Sequence, residues 1–399
     1  MEINTNPQKI KEVLGRGVEE IVDKSHLEEQ MGLGKRLRVK FGIDPTAPDI
    51  HLGHAVGLRK LRQFQDLGHR AVLIVGDFTT LIGDPSGRTT SRPPLNEAQI
   101  RDNMKDYISQ ASKVIDTKKA EIHYNSEWFK EKTMAFLMDL AGRFTVARLI
   151  EREDFQKRLK EGLDVSMLEL LYPLLQAYDS VACRADVEIG GYDQRLNFLF
   201  TRRAQKKFGQ EEQDILMAPL LIGIDGSKKM SKSVGNYIRL TEEPKKMYSQ
   251  LMAVPDNLMW SYFELLTDLP KEEIDALKKE VLENKSHPRD VKMRLASEIV
   301  ALYRGADADK LAKEEFVRVA QHGELPSEIP SVKVGKDEIG IIDLLVLAKV
   351  AASKSEAKRL VSQNGVRFDN IVKSDWKEMI KVKKGQIVQV GKNRFFRIG

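Results

Sequence analysis

Val39-Lys40-Phe41-Gly42-Ile43, then His51-Leu52-Gly53-His54, then Ala55 to Leu67 ended by Gly68, then Ala71-Val72-Leu73-Ile74-Val75: the order of these pieces decides the fold. The first and last are short apolar runs, which predicts strands. Ala55 to Leu67 is apolar at helical spacing, and a glycine after the last periodic residue is a helix stop. Strand, helix and strand in that order predict a parallel pair joined by a crossover helix. Further out, Ile122 to Tyr124, Val187 to Ile189 and Leu220 to Ile224 are more short apolar runs, separated by longer helical patterns. The alternation predicts an α/β fold with a Rossmann-like, doubly wound parallel sheet covered by helices on both faces. Ligands of such sheets lie beyond the carboxyl ends of the strands, where His51-Leu52-Gly53-His54 falls.

A second segment, Lys229-Met230-Ser231-Lys232-Ser233, sits in a Gly/Ser/Lys loop after the Leu220 to Ile224 run. Neither segment is specific alone; the two in this order and context bracket a site for ATP. Imidazoles at a helix start donate to phosphate oxygens where the helix dipole already favours negative charge. Gly53 has no side chain, so an adenine ring can lie on its backbone. Lys229 and Lys232 are flexible point charges suited to a pyrophosphate that is first stabilised and then released, with Gly226 and Gly235 as hinges. Neither segment supplies a general base. A carboxylate attacking the α-phosphate needs none, because positioning and charge stabilisation carry such a reaction.

With 399 residues, 41% hydrophobic and 31% charged, the chain is large enough for two or three domains and too ordinary in composition for disorder. No run of ~18 apolar residues is present, which argues against a membrane span. Ile10, Val13, Leu14, Val18, Ile21 and Val22 predict an N-terminal amphipathic helix rather than a secretory signal. Cys183 is the only cysteine, which excludes an intrachain disulfide and fits a reducing cytoplasm. The net charge of +6 is localised: residues 341–399 hold 13 Lys/Arg against 5 Asp/Glu, leaving the first 340 residues at −2. A basic patch of this kind is the electrostatic footprint of a nucleic-acid contact.

Residues 1–240 read as the catalytic domain, with a nearly all-helical insertion at about 126–185. Within the insertion, the apolar stretch Phe144 to Ile150 precedes a charged helix, Glu151 to Lys160. It serves either a second copy of the chain or an internal helix-packing face. Residues 241–325 are helical, with Pro244, Pro255, Pro270 and Pro288 as breakers. Residues 326–340 form a linker, and 341–399 a small α+β domain. There, Ser353-x-x-Glu356 is a capping box, the helix carries Lys354, Lys358 and Arg359, Asn364-Gly365 ends it, and short strands follow.

The two signature segments resemble those of class I aminoacyl-tRNA synthetases, and their surroundings are similar to the bacterial tyrosyl enzymes. Phe41-Gly42-Ile43-Asp44-Pro45-Thr46-Ala47, Ile82-Gly83-Asp84-Pro85-Ser86-Gly87, Gly190-Gly191-Tyr192-Asp193-Gln194 and Tyr172-Pro173-Leu174-Leu175-Gln176-Ala177-Tyr178-Asp179 carry the likeness, which spans essentially the whole chain. It implies a tyrosine-tRNA ligase acting as a cytoplasmic homodimer, with ATP and L-tyrosine as substrates, Mg2+ accompanying ATP, and tRNA(Tyr) as partner. It also implies that 241–325 lie on the anticodon side. Residues 341–399 resemble a ribosomal-protein-type RNA-binding domain, with Lys354, Lys358 and Arg359 on the RNA backbone.

Tyr172, Gln176 and Asp179 fall at i, i+4 and i+7, one face of a helix that Ser166-x-x-Glu169 caps and Pro173 kinks. By resemblance, Tyr172, Gln176 and Asp84 hold the substrate ammonium, and Asp179 accepts from the phenol hydroxyl. Phenylalanine would leave that carboxylate buried and unpaired. Asn125 and Trp128 match positions near the pocket, and Gln194 lies on the substrate carboxyl side. Asp193 binds the ribose, Thr46, His51 and His54 meet phosphates, and Asp44 opens the signature region. Gly53 and Met230 complete the ATP side, and Arg88 and Arg92 meet pyrophosphate opposite Lys229 and Lys232. Lys40 departs from the pattern: many relatives carry a tyrosine there that shares the phenol hydroxyl, and a lysine pairs with Asp179 or points elsewhere.

The resemblance leaves the tryptophan enzyme as a sister reading, disfavoured by Asp179 and the C-terminal segment. An RNA-binding protein on a synthetase scaffold and a small-molecule nucleotidyltransferase are the readings from other classes.

Overall fold

The computed structural model describes residues 2–86, 95–391 and 394–399; Arg88 and Arg92 therefore lie outside the described residues. The chain divides into two compact units, Met1–Ala306 and Asp307–Gly399.

The first unit is built on a six-stranded sheet of β1 (Glu20–Val22), β2 (Arg38–Ile43), β3 (Arg70–Val75), β4 (Glu121–Tyr124), β5 (Val187–Gly191) and β6 (Asp214–Ala218), in spatial order β1-β6-β5-β2-β3-β4. Five strands are parallel, and β1 runs antiparallel along β6. From β2 the chain steps outward to β3 and β4, then returns to the other side of β2 with β5 and β6. The order thus reverses between β2 and β5, and a crevice opens beyond their carboxyl ends. Helix Leu52–Asp66 joins β2 to β3 and packs close to the sheet. A Cβ on Gly57 would stand 2.4 Å from the Phe41 ring, so only glycine permits that approach.

Two expectations are corrected. The last strand is β6, Asp214–Ala218, and not Leu220–Ile224. All five β6 residues are buried, whereas Leu220–Ile224 follows Pro219 and turns back on the lysine loop: Gly223 N–H donates to Lys228 O and Met230 N–H to Leu221 O. The N-terminal helix covers only Pro7–Val13, capped by Asn6. Gly17 at φ 59° breaks it, and Ile21 and Val22 become part of β1, which covers the otherwise open edge of β6.

The segment between β4 and β5 is helical: Ser126–Phe129, Met134–Gly142, Val146–Leu149, Glu153–Lys160 and Met167–Cys183. Phe129, Leu140, Leu149, Phe155, Leu170 and Leu174 form its core. Ser166 caps the last helix with the reciprocal Glu169 bonds expected, and the helix runs on through Pro173. After the lysine loop come helices Pro244–Met252, Met259–Leu266, Lys271–Leu282 and Pro288–Arg304. The Arg16 guanidinium satisfies carbonyls at the end of the second, donating to Phe263 (3.3 Å), Glu264 (3.1 Å), Thr267 (2.8 Å) and Leu269 (2.6 Å). No helix among the described residues is long and apolar enough to cross a membrane.

In the second unit, helices Ile341–Leu347 and Lys354–Ser362 share a core with a five-stranded sheet of β7 (Ser331–Val332), β9 (Val366–Phe368), β10 (Ile371–Lys373), β12 (Ile387–Val390) and β13 (Arg394–Ile398). A two-stranded pair, β8 (Glu338–Gly340) with β11 (Met379–Lys381), adjoins it in sequence. The stretch expected as a linker thus supplies β7, parallel to β13, and β8. Ser353 caps the second helix, and Asn364 at φ 57° ends it.

Candidate active site

A cavity of about 850 Å³ occupies the crevice at the ends of β2 and β5. The two ends of its lining carry opposite charge.

One end is built by the start of helix Leu52–Asp66. His51 is its N-cap: Nδ1 accepts from Gly53 N–H at 3.2 Å, while His54 Nδ1 accepts from His51 N–H at 3.2 Å. Both Nδ1 atoms act as acceptors, so both rings carry their proton on Nε2. Burial, with Lys232 and Lys229 adding to it, pushes His51 down to about 3, and burial with His51 and the same lysines holds His54 well below its ordinary value. Both imidazoles are therefore neutral donors at physiological pH. A Cβ on Gly53 would lie 3.0 Å from the His51 ring and 3.6 Å from Met230 Cβ, so the glycine keeps this face open.

The lysine loop closes over the same end. Met230 is buried and anchors it, and Lys229 pairs with Asp193. Lys232 donates to Ala47 O at 3.1 Å and Tyr107 OH at 3.2 Å, which sets it beside Thr46. Tyr107, Gln110 and Asn103 in turn hold the loop of Thr46 through the carbonyls of Ala47, Pro48 and Pro45. Asn236 folds the lysine loop from within: its Nδ2 donates to Asp225 Oδ1 (2.7 Å) and to the carbonyls of Lys228 and Lys229 (3.2 Å each), and its Oδ1 accepts from Ser231 N–H (2.8 Å).

The other end is acidic. Asp44 accepts from Thr79 Oγ1 (2.9 Å) and Tyr172 OH (3.0 Å), so it stands beside Tyr172 as well as the signature segment. Burial, then the charge of Asp84, pushes its carboxyl up to about 7. Asp84 accepts from Ser86 N–H and from Gln194 Nε2, both at 2.8 Å. Gln176 Oε1 is buried with no hydrogen-bond partner. Asp44, Asp84 and the unpartnered Gln176 Oε1 make this end of the cavity rich in acceptors. Asp179 lies apart from these, accepting from Trp128 Nε1 (2.9 Å) and Asn125 Nδ2 (3.3 Å). Burial pushes it up to about 7 against Lys40, Trp128 and Asn125, which favour its charged form.

Lys40 resolves as a buried ion pair with Glu188 at 2.7 Å rather than a direct partner of Asp179. Burial disfavours its charge, but Glu188 and Asp179 hold the ammonium above its ordinary value.

The cavity lining brings together Asp44, Thr46, His51, Gly53, His54, Asp84, Tyr172, Gln176, Asp179, Asp193, Gln194, Lys229, Met230 and Lys232 from β-strand ends, helix starts and loops. Asn125 stands behind it as a donor to Asp179, and Arg88 and Arg92 are outside the described residues. In the second unit, Lys354, Lys358 and Arg359 are all exposed; Lys354 pairs with Asp343, and the Lys358 ammonium lies 3.9 Å from the Trp376 ring centroid. Sequence reasoning missed Glu188 and Asn236. A lone acid inside the apolar run Val187 to Ile189 signals the first, and an asparagine after Gly235 the second.

Fold and site define a class I tRNA synthetase, and the chain belongs to the family of tRNA synthetases class I (W and Y), matched over residues 33–321. Residues 321–398 match a tyrosine-tRNA ligase SYY-like C-terminal domain. Among curated relatives, the tyrosine-tRNA ligase of Thermotoga maritima is 47% identical over 98% of both chains. That of Burkholderia lata is 49% identical over 97% of this chain and 94% of its own. In fold, the chain is similar to a C-terminally truncated mitochondrial tyrosyl-tRNA synthetase of Aspergillus nidulans (TM-score 0.65, 22% identity, 78% of this chain and 94% of that one). It is also similar to the Archaeoglobus fulgidus tyrosyl-tRNA synthetase complexed with L-tyrosine (TM-score 0.63, 21% identity, 77% and 100%).

Proposed function

We propose that this chain is a tyrosine-tRNA ligase. The observation that carries the reading is the cavity's polarity, together with the near-full-length likeness to curated tyrosine-tRNA ligases. Tyrosine enters with its ammonium at Asp84, Gln176 and Tyr172, where Gln176 Oε1 gains a donor, and with its phenol hydroxyl toward Asp179. ATP lies across Gly53 and Met230 with its ribose at Asp193 and its phosphates toward Thr46, His51, His54, Lys229 and Lys232.

The tyrosine carboxylate attacks the α-phosphorus, the bond to the β-phosphate oxygen breaks, and pyrophosphate leaves with its charge met by the lysines and the imidazole Nε2–H donors. A ribose hydroxyl at the tRNA 3′ end then attacks the tyrosyl carbonyl and AMP leaves. Mg2+ arrives on the ATP phosphates in this reading; among the described residues no group of three or more His, Cys, Asp or Glu is placed to hold a metal ion. The basic second unit binds the tRNA(Tyr) backbone through Lys354, Lys358 and Arg359. The exposed Met134, Met138, Val146, Met167 and Leu168 of the helical insertion meet a second copy. The place of work is the cytoplasm, where charged tRNA is used.

Pyrophosphate exchange into ATP, without tRNA, against each of the twenty amino acids tests the first step. Exchange with tyrosine alone is expected. Exchange with tryptophan instead moves the reading to the sister enzyme, and no exchange from a folded sample that binds tRNA hands it to an RNA-binding role.

A further inference from the structure

Lys40 and Glu188 are register partners on β2 and β5, each buried to within 2% of full burial, and both line the cavity. Besides its 2.7 Å ion pair, the Lys40 ammonium donates to Ser180 Oγ at 2.8 Å and to Gln176 O at 3.4 Å. Those two residues flank Asp179 on the same turn of helix Met167–Cys183. Glu188 is itself held, accepting from Gln213 Nε2 and from Ser180 Oγ at 3.4 Å. Tied to Glu188 and to the helix backbone, the ammonium is fixed beside Asp179 and is not a flexible arm reaching for substrate.

The groups that bear on Asp179 come from four elements. Lys40 and Asp44 belong to β2 and its end, Glu188 to β5, and Tyr172 and Cys183 to its own helix. Trp128 and Asn125 come from the start of helix Ser126–Phe129, with the His123 ring tilted against Trp128 at 5.6 Å between centroids. Lys40 is the only lysine or arginine among those named. Without it, Asp179, Glu188 and Asp44 would share a buried region with neutral donors alone, and like charges in a low dielectric do not all ionise.

We propose that Lys40 is a positioning residue for substrate selection: anchored by Glu188, its ammonium keeps the Asp179 carboxylate charged, so that the pocket demands a phenol hydroxyl. This rests on the tyrosine reading above. A structural lysine would support packing alone; a selecting lysine sets the pH at which tyrosine is recognised.

The test is the double variant Lys40→Met with Glu188→Gln, which removes both charges at similar volume. kcat and KM for tyrosine and for phenylalanine are measured by pyrophosphate exchange from pH 5.5 to 9, with thermal melting as the check on folding. The unsubstituted protein is expected to lose tyrosine affinity as pH falls through the neutral range. In the double variant the inflection moves up by about one unit, so at pH 7 tyrosine kcat/KM falls about fivefold, mainly through KM. Phenylalanine use stays within about twofold of its starting value, so discrimination narrows. The same inflection and the same tyrosine-to-phenylalanine ratio in both proteins would overturn the proposal. Should the double variant fail to fold, Lys40→Gln alone removes the ammonium and leaves the like charge of Glu188, and must raise the inflection; an unchanged or lowered one refutes it. Absence of tyrosine-dependent exchange in the unsubstituted protein would sink the functional reading itself, and is thereby told apart.

Discussion

Replacing His51 separates the helix from the chemistry. His51→Ala removes the N-cap acceptor of helix Leu52–Asp66, which costs about 1 kcal/mol, within ~0.5–2. It also removes an Nε2–H donor from the cavity. A neutral donor aimed at the charge of a departing pyrophosphate contributes about 1.5–3 kcal/mol, so kcat should fall roughly ten- to 150-fold. His51→Asn restores the cap, since asparagine is among the best N-cap residues, but its amide stops short of the reach of Nε2. The expected pattern is thus two losses for alanine and one for asparagine. Urea denaturation should place His51→Asn within ~0.5 kcal/mol of the unsubstituted protein and His51→Ala about 1 kcal/mol below it, while tyrosine-dependent pyrophosphate exchange is slow in both. Because burial and the two lysines hold His51 at about 3, its ionisation leaves no mark on the exchange rate between pH 5.5 and 8. Asparagine that restores the rate along with the stability would refute the argument, as would an alanine variant whose rate loss matches only its unfolded fraction.

Asn236→Ala deletes the bonds that shape the lysine loop, so kcat for exchange should fall about ten- to 100-fold while KM for tyrosine stays within about threefold; a change confined to tyrosine KM contradicts it. The folded Asp44 carboxyl sits at about 7, above an unfolded value of about 4, so its ionisation costs stability as pH rises from about 4 through 7 and the cost then levels off. Asp44→Asn should accordingly gain on the order of 1–4 kcal/mol at pH 8 and much less at pH 5 by urea midpoint, while losing tyrosine activation; a larger gain at pH 5 reverses the sign and defeats the assignment. Charge reversal of Lys354, Lys358 and Arg359 to Glu should raise the KM for tRNA and flatten its salt dependence, with exchange unchanged within about twofold. Met138→Asp with Met167→Asp should shift sedimentation at micromolar concentration from a dimer to a monomer; a monomeric unsubstituted protein removes that proposal.

Much of the site was legible because its chemistry is local. Ser166 and Glu169 cap each other within one turn, His51 and His54 do the same, and the apolar spacing from Ala55 to Leu67 specifies a buried helix face whatever lies beyond it. The sequence alone therefore determined the strand-helix-strand unit, the two signature segments at strand ends, the helical insertion and the basic C-terminal segment. The tertiary structure decided which of two neighbouring apolar runs became the sixth strand. Asp214–Ala218 and Leu220–Ile224 are alike in composition, and only the place beside β5 distinguishes them. It likewise turned Ile21 and Val22 from a helix into an edge strand, because the open edge of β6 required a partner. Lys40 and Glu188, 148 positions apart, each look misplaced in an apolar run. Parallel pairing of β2 with β5 sets them in register, where each cancels the desolvation of the other. Local propensity senses the nearest turn of chain, whereas burial of a charge is decided by a partner that only the finished sheet delivers.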